Sequence, residues 1–416
     1  MRIYVETYGC WLAKADAQIL LQRLGGAVAE SPRDADLVLV YTCAVREDGE
    51  VRQLRRLGQL ASESKRLVVA GCLAKARPYT IRQVAKNAEL LYPEQVEGGE
   101  GRSMSVLPEP DGGLIYTVPL QVGCLGNCTF CITKYTRGGA GYVKSAPPDL
   151  VVEYVKKAVA KGAKEIYLTG QDVITYGFDA RWRRGWNLPD LLEKILSQVE
   201  GDYRIRIGMS EPWVFGKFAD AILDIVKRDE RVYRYFHLPV QSGSDEVLRR
   251  MGRRYTADEY RGLISKIKRE LNDDVFVATD VIVGFPGETE EDFRATLRLM
   301  EELEFDKVHV ARYSRRPFTE ASVMPEQIPD AVKKQRSKIA SELALKIAHA
   351  RNSRLIGRRL KVLVDEVDHG LVVGRAPDYR QVVVGRGEGP LGSFLEVEIE
   401  RAEPVYLWAK GVYRTT

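Results

Sequence analysis

Three cysteines, Cys124, Cys128 and Cys131, stand four and then three residues apart in the run Gly123-Cys124-Leu125-Gly126-Asn127-Cys128-Thr129-Phe130-Cys131. Thiolates are soft ligands, and three at close range hold three irons of a [4Fe-4S] cube while the fourth iron stays open to bind and reduce something. A structural zinc site needs a fourth ligand in tetrahedral geometry, yet no Cys or His follows Cys131 until His237. A disulfide within the triad would leave an odd thiol. The spacing therefore favours a cluster over zinc or plain thiols.

The other three cysteines, Cys10, Cys43 and Cys72, are far apart in the chain, and each stands just past a strand-like run: Arg2 to Tyr8, Ala35 to Tyr41 and Arg66 to Ala70. Helical patterns over Asp16 to Leu24 and Glu50 to Leu60 separate these runs, which predicts a doubly wound parallel α/β domain over residues 1–108. In such a sheet the carboxyl ends of the strands share one edge, where ligands bind. Buried structural cysteines are the plain alternative. Three of three at strand ends, each beside Gly or Thr, favour a second three-thiolate cluster.

Six strand-then-helix repeats follow, with strands near Ile115 to Val122, Glu165 to Gly170, Tyr203 to Met209, Tyr235 to Val240, Val275 to Val283 and Lys307 to Tyr313. Repeated βα units imply a parallel sheet curling toward a barrel, and six make an incomplete one, a partial (βα)6 barrel over residues 114–353. The Cys124 motif lies directly after the first strand, at the active-site end. On that same rim stand Thr169-Gly170-Gln171-Asp172, Ser210-Glu211, Gln241-Ser242-Gly243-Ser244, and Val283-Gly284-Phe285-Pro286-Gly287-Glu288. Each loop alone marks an ordinary turn, and Asp172 could equally cap a helix. Together they read as a cofactor pocket. His237, at a strand end, reads as a hydrogen-bonded structural residue.

Cys124, Cys128 and Cys131 with Phe130 resemble the signature of the radical S-adenosylmethionine (SAM) superfamily. The resemblance implies that the open iron chelates SAM and that the reduced cluster drives its cleavage to a 5′-deoxyadenosyl radical. It places Phe130 beside the adenine, where an ordinary core aromatic is the alternative, and Thr169 to Asp172 at the SAM amino group. Cys10, Cys43 and Cys72, with Thr42-Cys43-Ala44-Val45-Arg46-Glu47, resemble the methylthiotransferase family, whose N-terminal domain carries an auxiliary [4Fe-4S] cluster. His237-Leu238-Pro239-Val240-Gln241-Ser242-Gly243-Ser244, Met251-Gly252-Arg253-Arg254-Tyr255 and Asp280 to Glu288 resemble the same family. Tyr41 stands where that family commonly has Asn, and Trp11-Leu12-Ala13 replaces its usual polar residues. Cys131-Ile132-Thr133-Lys134 with Arg137-Gly138 is similar to the archaeal and eukaryotic branch acting on threonylcarbamoyladenosine in tRNA. The implied cofactors are two [4Fe-4S] clusters and SAM. The implied partners are the tRNA anticodon stem-loop, a flavodoxin- or ferredoxin-like electron donor and an unidentified sulfur source.

The net charge of +5 is mild, but residues 330–359 carry nine Lys/Arg against two acids, a local +7. Ile339, Leu343, Ile347 and Ala350 at helical spacing predict an amphipathic basic helix with its charged face toward phosphate. Trp182-Arg183-Arg184-Gly185-Trp186 could stack on RNA bases or be a solvated loop. Short alternating strands from Leu360 to Ala409 predict a small OB-like β-barrel over residues 354–416, which resembles the TRAM RNA-binding module. A hydrophobic content of 45% with 29% charge is that of a globular protein. No apolar run suits a membrane and no signal peptide is evident, so a cytoplasmic location is expected. Methylthiolation of isopentenyladenosine, or of a ribosomal-protein aspartate, would use the same scaffold. An RNA-binding protein with structural or redox-sensing clusters is the reading from a different class.

Overall fold

The structure is a computed structural model that describes residues 1–99, 101–139, 141–179, 185–386, 390–410 and 413–415. Trp182, Arg183 and Arg184 lie outside the described residues. The first domain runs β1 (Arg2–Thr7), α1 (Trp11–Leu24), β2 (Ala27–Val28), β3 (Leu37–Thr42), α2 (Glu47–Glu63), β4 (Leu67–Gly71), α3 (Cys72–Ala76), α4 (Pro78–Val84) and β5 (Glu89–Leu91). Its sheet has the order β2-β1-β3-β4-β5 and is parallel throughout. Strand β3 is buried on both faces: Val38 and Val40 enter one core, Leu37, Leu39 and Tyr41 the other. A Leu/Val-rich strand with helices on both sides requires this pattern.

The central domain follows as β6 (Ile115–Cys124), α5 (Thr133–Thr136), β7 (Tyr142–Ser145), α6 (Pro148–Ala160), β8 (Glu165–Gly170), α7 (Leu188–Gln198), β9 (Arg204–Ile207), α8 (Pro212–Arg228), β10 (Tyr235–His237), α9 (Asp245–Arg250), α10 (Ala257–Glu270), β11 (Phe276–Val283), α11 (Glu290–Leu303), β12 (Lys307–Arg312) and α12 (Asp330–Ser353). The six expected parallel strands form two sheets, β6-β8-β9 and β10-β11-β12, linked by a bridge between Ile205 and Val232. Sequence periodicity missed β7, a four-residue strand that pairs antiparallel with the end of β6. Strand β10 stops three residues short of the expected Val240. Pro239 follows it, and Gln241 turns the chain out of strand geometry with φ 73°.

Helix α12 departs from the expected amphipathic pattern. Ile339 and Ala350 are exposed, while Lys333, Arg336, Ala340, Ala344, Ile347 and Arg351 form the buried face. The arginines turn inward because acids wait there: Arg336 pairs with Glu288 at 2.8 Å, and Arg351 pairs with Asp306 at 3.0 Å and Asp273 at 2.5 Å. Two charges expected to face phosphate therefore pin the helix to the barrel instead.

The last strands are β13 (Arg359–Asp368), β14 (Leu371–Arg375), β15 (Gln381–Arg386), β16 (Phe394–Ala402), β17 (Leu407–Ala409) and β18 (Tyr413–Thr415). The order β13-β14-β15-β17-β16 closes through a β13–β16 pairing into the expected five-stranded barrel, and β18 adds to β16. Its β14–β15 connection reaches the central domain. There Arg380 pairs with Asp306 at 2.5 Å, and the Tyr379 hydroxyl lies 2.6 Å from that of Tyr167. Among the described residues no helix is long and apolar enough to cross a membrane.

Asp306 is wholly buried between Arg351 and Arg380. Replacing Arg351 by Ala leaves a buried acid partly unpaired and is expected to cost about 3 kcal/mol, read as a lowered denaturation midpoint. A loss below about 1 kcal/mol would mean that Arg380 alone satisfies Asp306.

Candidate iron–sulfur and cofactor site

Strand β6 delivers Cys124 to the rim. Gly123, at φ 93°, is obligatory there, because a Cβ would lie 1.6 Å from the Tyr142 carbonyl oxygen. The Gly126 N–H donates to Cys124 Sγ at 3.2 Å, and a Cβ on Gly126 would lie 3.3 Å from Cys124 Sγ and 3.8 Å from Cys128 Sγ. Two sulfurs thus flank one small residue. Thr133 Oγ1 stands 2.8 Å from Cys131 Sγ, and Arg253 Nη1 donates to Cys128 Sγ at 3.3 Å. Burial pushes the Cys124 and Cys131 thiols above their ordinary value, and Asp172 and Cys128 respectively push the same way. All six cysteines are free of disulfides. Gathered thiols that resist ionisation on their own fit a cationic iron cluster, which would neutralise them as thiolates.

The β8 loop is tied to this motif. The Gly123 N–H donates to Gln171 Oε1 at 2.5 Å, and Asp172 Oδ2 lies 3.7 Å from Cys124 Sγ. Asp172 caps nothing with its side chain; its Oδ1 accepts from the Glu211 N–H at 2.9 Å. Burial pushes its carboxyl up to about 7 against that hydrogen bond. Glu211 caps α8 through the Val214 N–H and pairs with Arg253 at 3.4 Å. Gln241 carries a buried Oε1 with no hydrogen-bond partner among the described residues, an acceptor left open for a ligand group.

Other expected contacts are placed deeper. Thr169, Ser210 and Ser242 are buried, with the Ser242 hydroxyl accepting from the Ser244 N–H at 3.2 Å. Gly170 packs on Gln121. Val283 belongs to the main core, and Phe285 packs fully buried against Tyr313 and edge-on to Phe130 at 6.4 Å. Phe130 is only partly buried. His237 is hydrogen-bonded, with Nε2 3.0 Å from Asp280 Oδ1.

The remaining cysteines converge as strand order requires. Cys10 precedes α1, Cys43 follows β3 and Cys72 opens α3 after β4. Burial pushes Cys43 up to about 11, and Cys72 and Cys10 add to the shift, which places the three within electrostatic reach. A Cβ on Gly9 would lie 3.0 Å from Cys43 Cβ. Into this group comes Arg137, from just after α5: its Nε donates to Cys72 Sγ at 3.1 Å, Nη1 to Asp16 at 2.8 Å and Nη2 to the Tyr41 hydroxyl at 3.2 Å. Burial opposes ionisation of Asp16, but Arg102 and Arg137 hold its carboxyl below the ordinary range. Sequence reasoning missed this role of Arg137. Trp11, beside Cys10, packs edge-on against Tyr167 at 4.7 Å, on the inner face of the barrel.

Comparisons with known proteins agree with this layout. The description "Radical SAM superfamily" matches residues 118–300, "Uncharacterized protein family UPF0004" residues 2–92 and "TRAM domain" residues 353–412. The chain is 38% identical over 426 residues to a Methanocaldococcus jannaschii protein named "Probable threonylcarbamoyladenosine tRNA methylthiotransferase", covering 97% of this chain and 95% of that one. The chain belongs to the radical SAM methylthiotransferase family. A Pyrococcus horikoshii relative with the same name is 35% identical, with 98% of each chain covered. A Dictyoglomus thermophilum "tRNA-2-methylthio-N(6)-dimethylallyladenosine synthase" is 34% identical, covering 98% of this chain and 97% of that one. Among solved structures, the radical SAM methyltransferase TsrM of Kitasatospora setae shares the fold, with TM-score 0.56 and 13% identity over 77% of this chain and 75% of that one. As a radical SAM enzyme, this family member uses SAM and an iron–sulfur cluster.

The Arg137–Asp16 pair joins the first two domains and is almost wholly buried. A double-mutant cycle of Arg137→Met and Asp16→Asn, read by denaturant unfolding, is expected to give a coupling of at least about 2 kcal/mol. Additive effects would show that Arg102 alone carries Asp16.

Proposed function

We propose that this protein is a tRNA methylthiotransferase that places a methylthio group on C2 of threonylcarbamoyladenosine next to the anticodon, with one [4Fe-4S] cluster on Cys124, Cys128 and Cys131 and a second on Cys10, Cys43 and Cys72. The observation that carries this reading is the bridge by Arg137, which follows the first triad in the chain and donates to a sulfur of the second. Two cysteine triads on one molecule suit two separable jobs. When bound, the first cluster supplies the electron that cleaves SAM, and the second carries the sulfur to be transferred. The archaeal relatives named for threonylcarbamoyladenosine support the choice of nucleoside.

This chain's own residues bind and orient. In the proposed pocket the Gln171–Asp172 loop, tied to Gly123 and Cys124, would hold the methionine end of SAM, and Gln241 Oε1, without a partner among the described residues, would accept from a cofactor hydroxyl or amine. Phe130, held by Phe285, offers an aromatic edge for adenine. Arg253 donates to Cys128 Sγ while Glu211 and the Pro239 carbonyl hold its guanidinium in place. The tRNA partner follows from the C-terminal barrel and the relatives, and a small electron-transfer protein of flavodoxin or ferredoxin type is the expected reductant.

Replacing Cys10, Cys43 or Cys72 by Ala is expected to stop methylthio transfer while 5′-deoxyadenosine still forms from SAM, measured by chromatography under reducing conditions. Cys124→Ala is expected to abolish both. Loss of SAM cleavage in the N-terminal variants, with the iron of the first cluster retained, would contradict the division of labour.

A further inference from the structure

On the inner face of the central barrel two cations, Arg206 and Lys307, have no ion-pair partner among the described residues. Strand register places Arg206 beside Tyr167, Lys307 beside Ala278, and His309 beside Asp280, on inner-face positions of β8, β9, β11 and β12. The floor is closed from the C-terminal barrel by Tyr379, whose ring lies 5.1 Å from that of Tyr235 and carries the Arg206 guanidinium at 4.9 Å. Arg206 donates one Nη to the Tyr235 hydroxyl at 3.1 Å, but its Nε is buried with no hydrogen-bond partner among the described residues.

Neither Arg206 nor Lys307 forms an ion pair among the described residues. The nearby acids are engaged elsewhere: Asp280 with His237 at 3.0 Å, Asp365 with Arg375 at 2.8 Å, and Glu165 as acceptor from the Tyr167 hydroxyl at 3.2 Å and from the Tyr233 hydroxyl. Lys307 is exposed to solvent; partial desolvation pulls its pKa down, and Arg375 and Arg206 pull the same way. Two like charges within electrostatic reach of each other, one with a buried and unsatisfied Nε, are the setting that an anion between them would relieve. His237, Asp280 and His309 could bring three ligand atoms within 4.8 Å of one another. A metal ion there would add positive charge beside Arg206 and Lys307, so the same electrostatics disfavour it.

We propose that Arg206 and Lys307 form an anion subsite at the floor of the barrel lumen that takes the carboxylate of an amino-acid substituent on the target adenosine. This inference rests on the tRNA reading above and deepens it. A threonylcarbamoyl group ends in a carboxylate, whereas a dimethylallyl group is wholly apolar. Unpaired cations accept the first, and filling the lumen with the second would leave them desolvated and unsatisfied. Selection between the two nucleosides thus falls to two side chains distant from the clusters in sequence.

The test measures kcat/KM on anticodon stem-loops carrying threonylcarbamoyladenosine, its carboxamide, or dimethylallyladenosine. The wild-type protein is expected to prefer the acid over the carboxamide by at least about tenfold, and Lys307→Met or Arg206→Met to erase most of that preference. The ratio is internal to each protein, so a folding defect, which lowers both rates together, does not imitate the result. Equal turnover of acid and carboxamide by the wild type would overturn the subsite while leaving the tRNA reading intact, and so would an undiminished preference in both variants. Turnover of dimethylallyladenosine alone would overturn the nucleoside assignment itself, and the subsite with it.

Discussion

Arg137 carries a full charge into the seam between the first two domains, and the arrangement of both cysteine triads depends on how that charge is met. Asp16 answers it, Arg102 shares the same carboxylate at 2.5 Å, and Glu97 answers Arg102 at 3.0 Å. A buried charge left unpaired costs several kcal/mol, about 3–5 when one partner is removed, so this network of two acids and two arginines favours the relative placement in which each charge meets its opposite. In that placement Cys72 receives the third arm of the guanidinium. Structural ion pair and sulfur environment are thus a single feature.

A second clamp repeats the logic on the far side of the barrel. Arg316, just after β12, pairs with Glu50 of α2 at 2.5 Å and donates to the Ala44 carbonyl one residue after Cys43. Both domains present the carboxyl ends of their strands, where loops can vary while the sheet stays fixed. The third domain meets the other end of the barrel, where Tyr379 and Arg380 seal the floor.

Much of this was legible in the sequence because it is periodic or because it is chemically rare. The cysteine spacing, the βα alternation and the closed β-barrel all fall in these classes, and each strand-end cysteine was placed by strand order alone. Features set by contacts between distant segments were not legible. The motif around Arg137 marked a branch of the family, yet nothing local reveals that Asp16, in the middle of a helix, waits for it 121 residues away. Helix α12 misled for the same reason: Ile339 and Ala350 fit an apolar stripe, but Glu288 and Asp306 on other elements drew Arg336 and Arg351 inward. Tyr41 and Trp11, departures from the family pattern, fill a buried hydrogen-bond network and the inner wall of the barrel.

The central claim is that two cysteine triads, held on two domains joined by buried ion pairs, serve sulfur insertion into a modified tRNA adenosine. Mass spectrometry of tRNA nucleosides tests it most directly, using a host stripped of its own methylthiotransferases, with and without this gene. The account predicts that threonylcarbamoyladenosine gains a methylthio group only when the gene is present. An unchanged nucleoside profile, from cells whose protein carries both clusters and an active reductant, would contradict it.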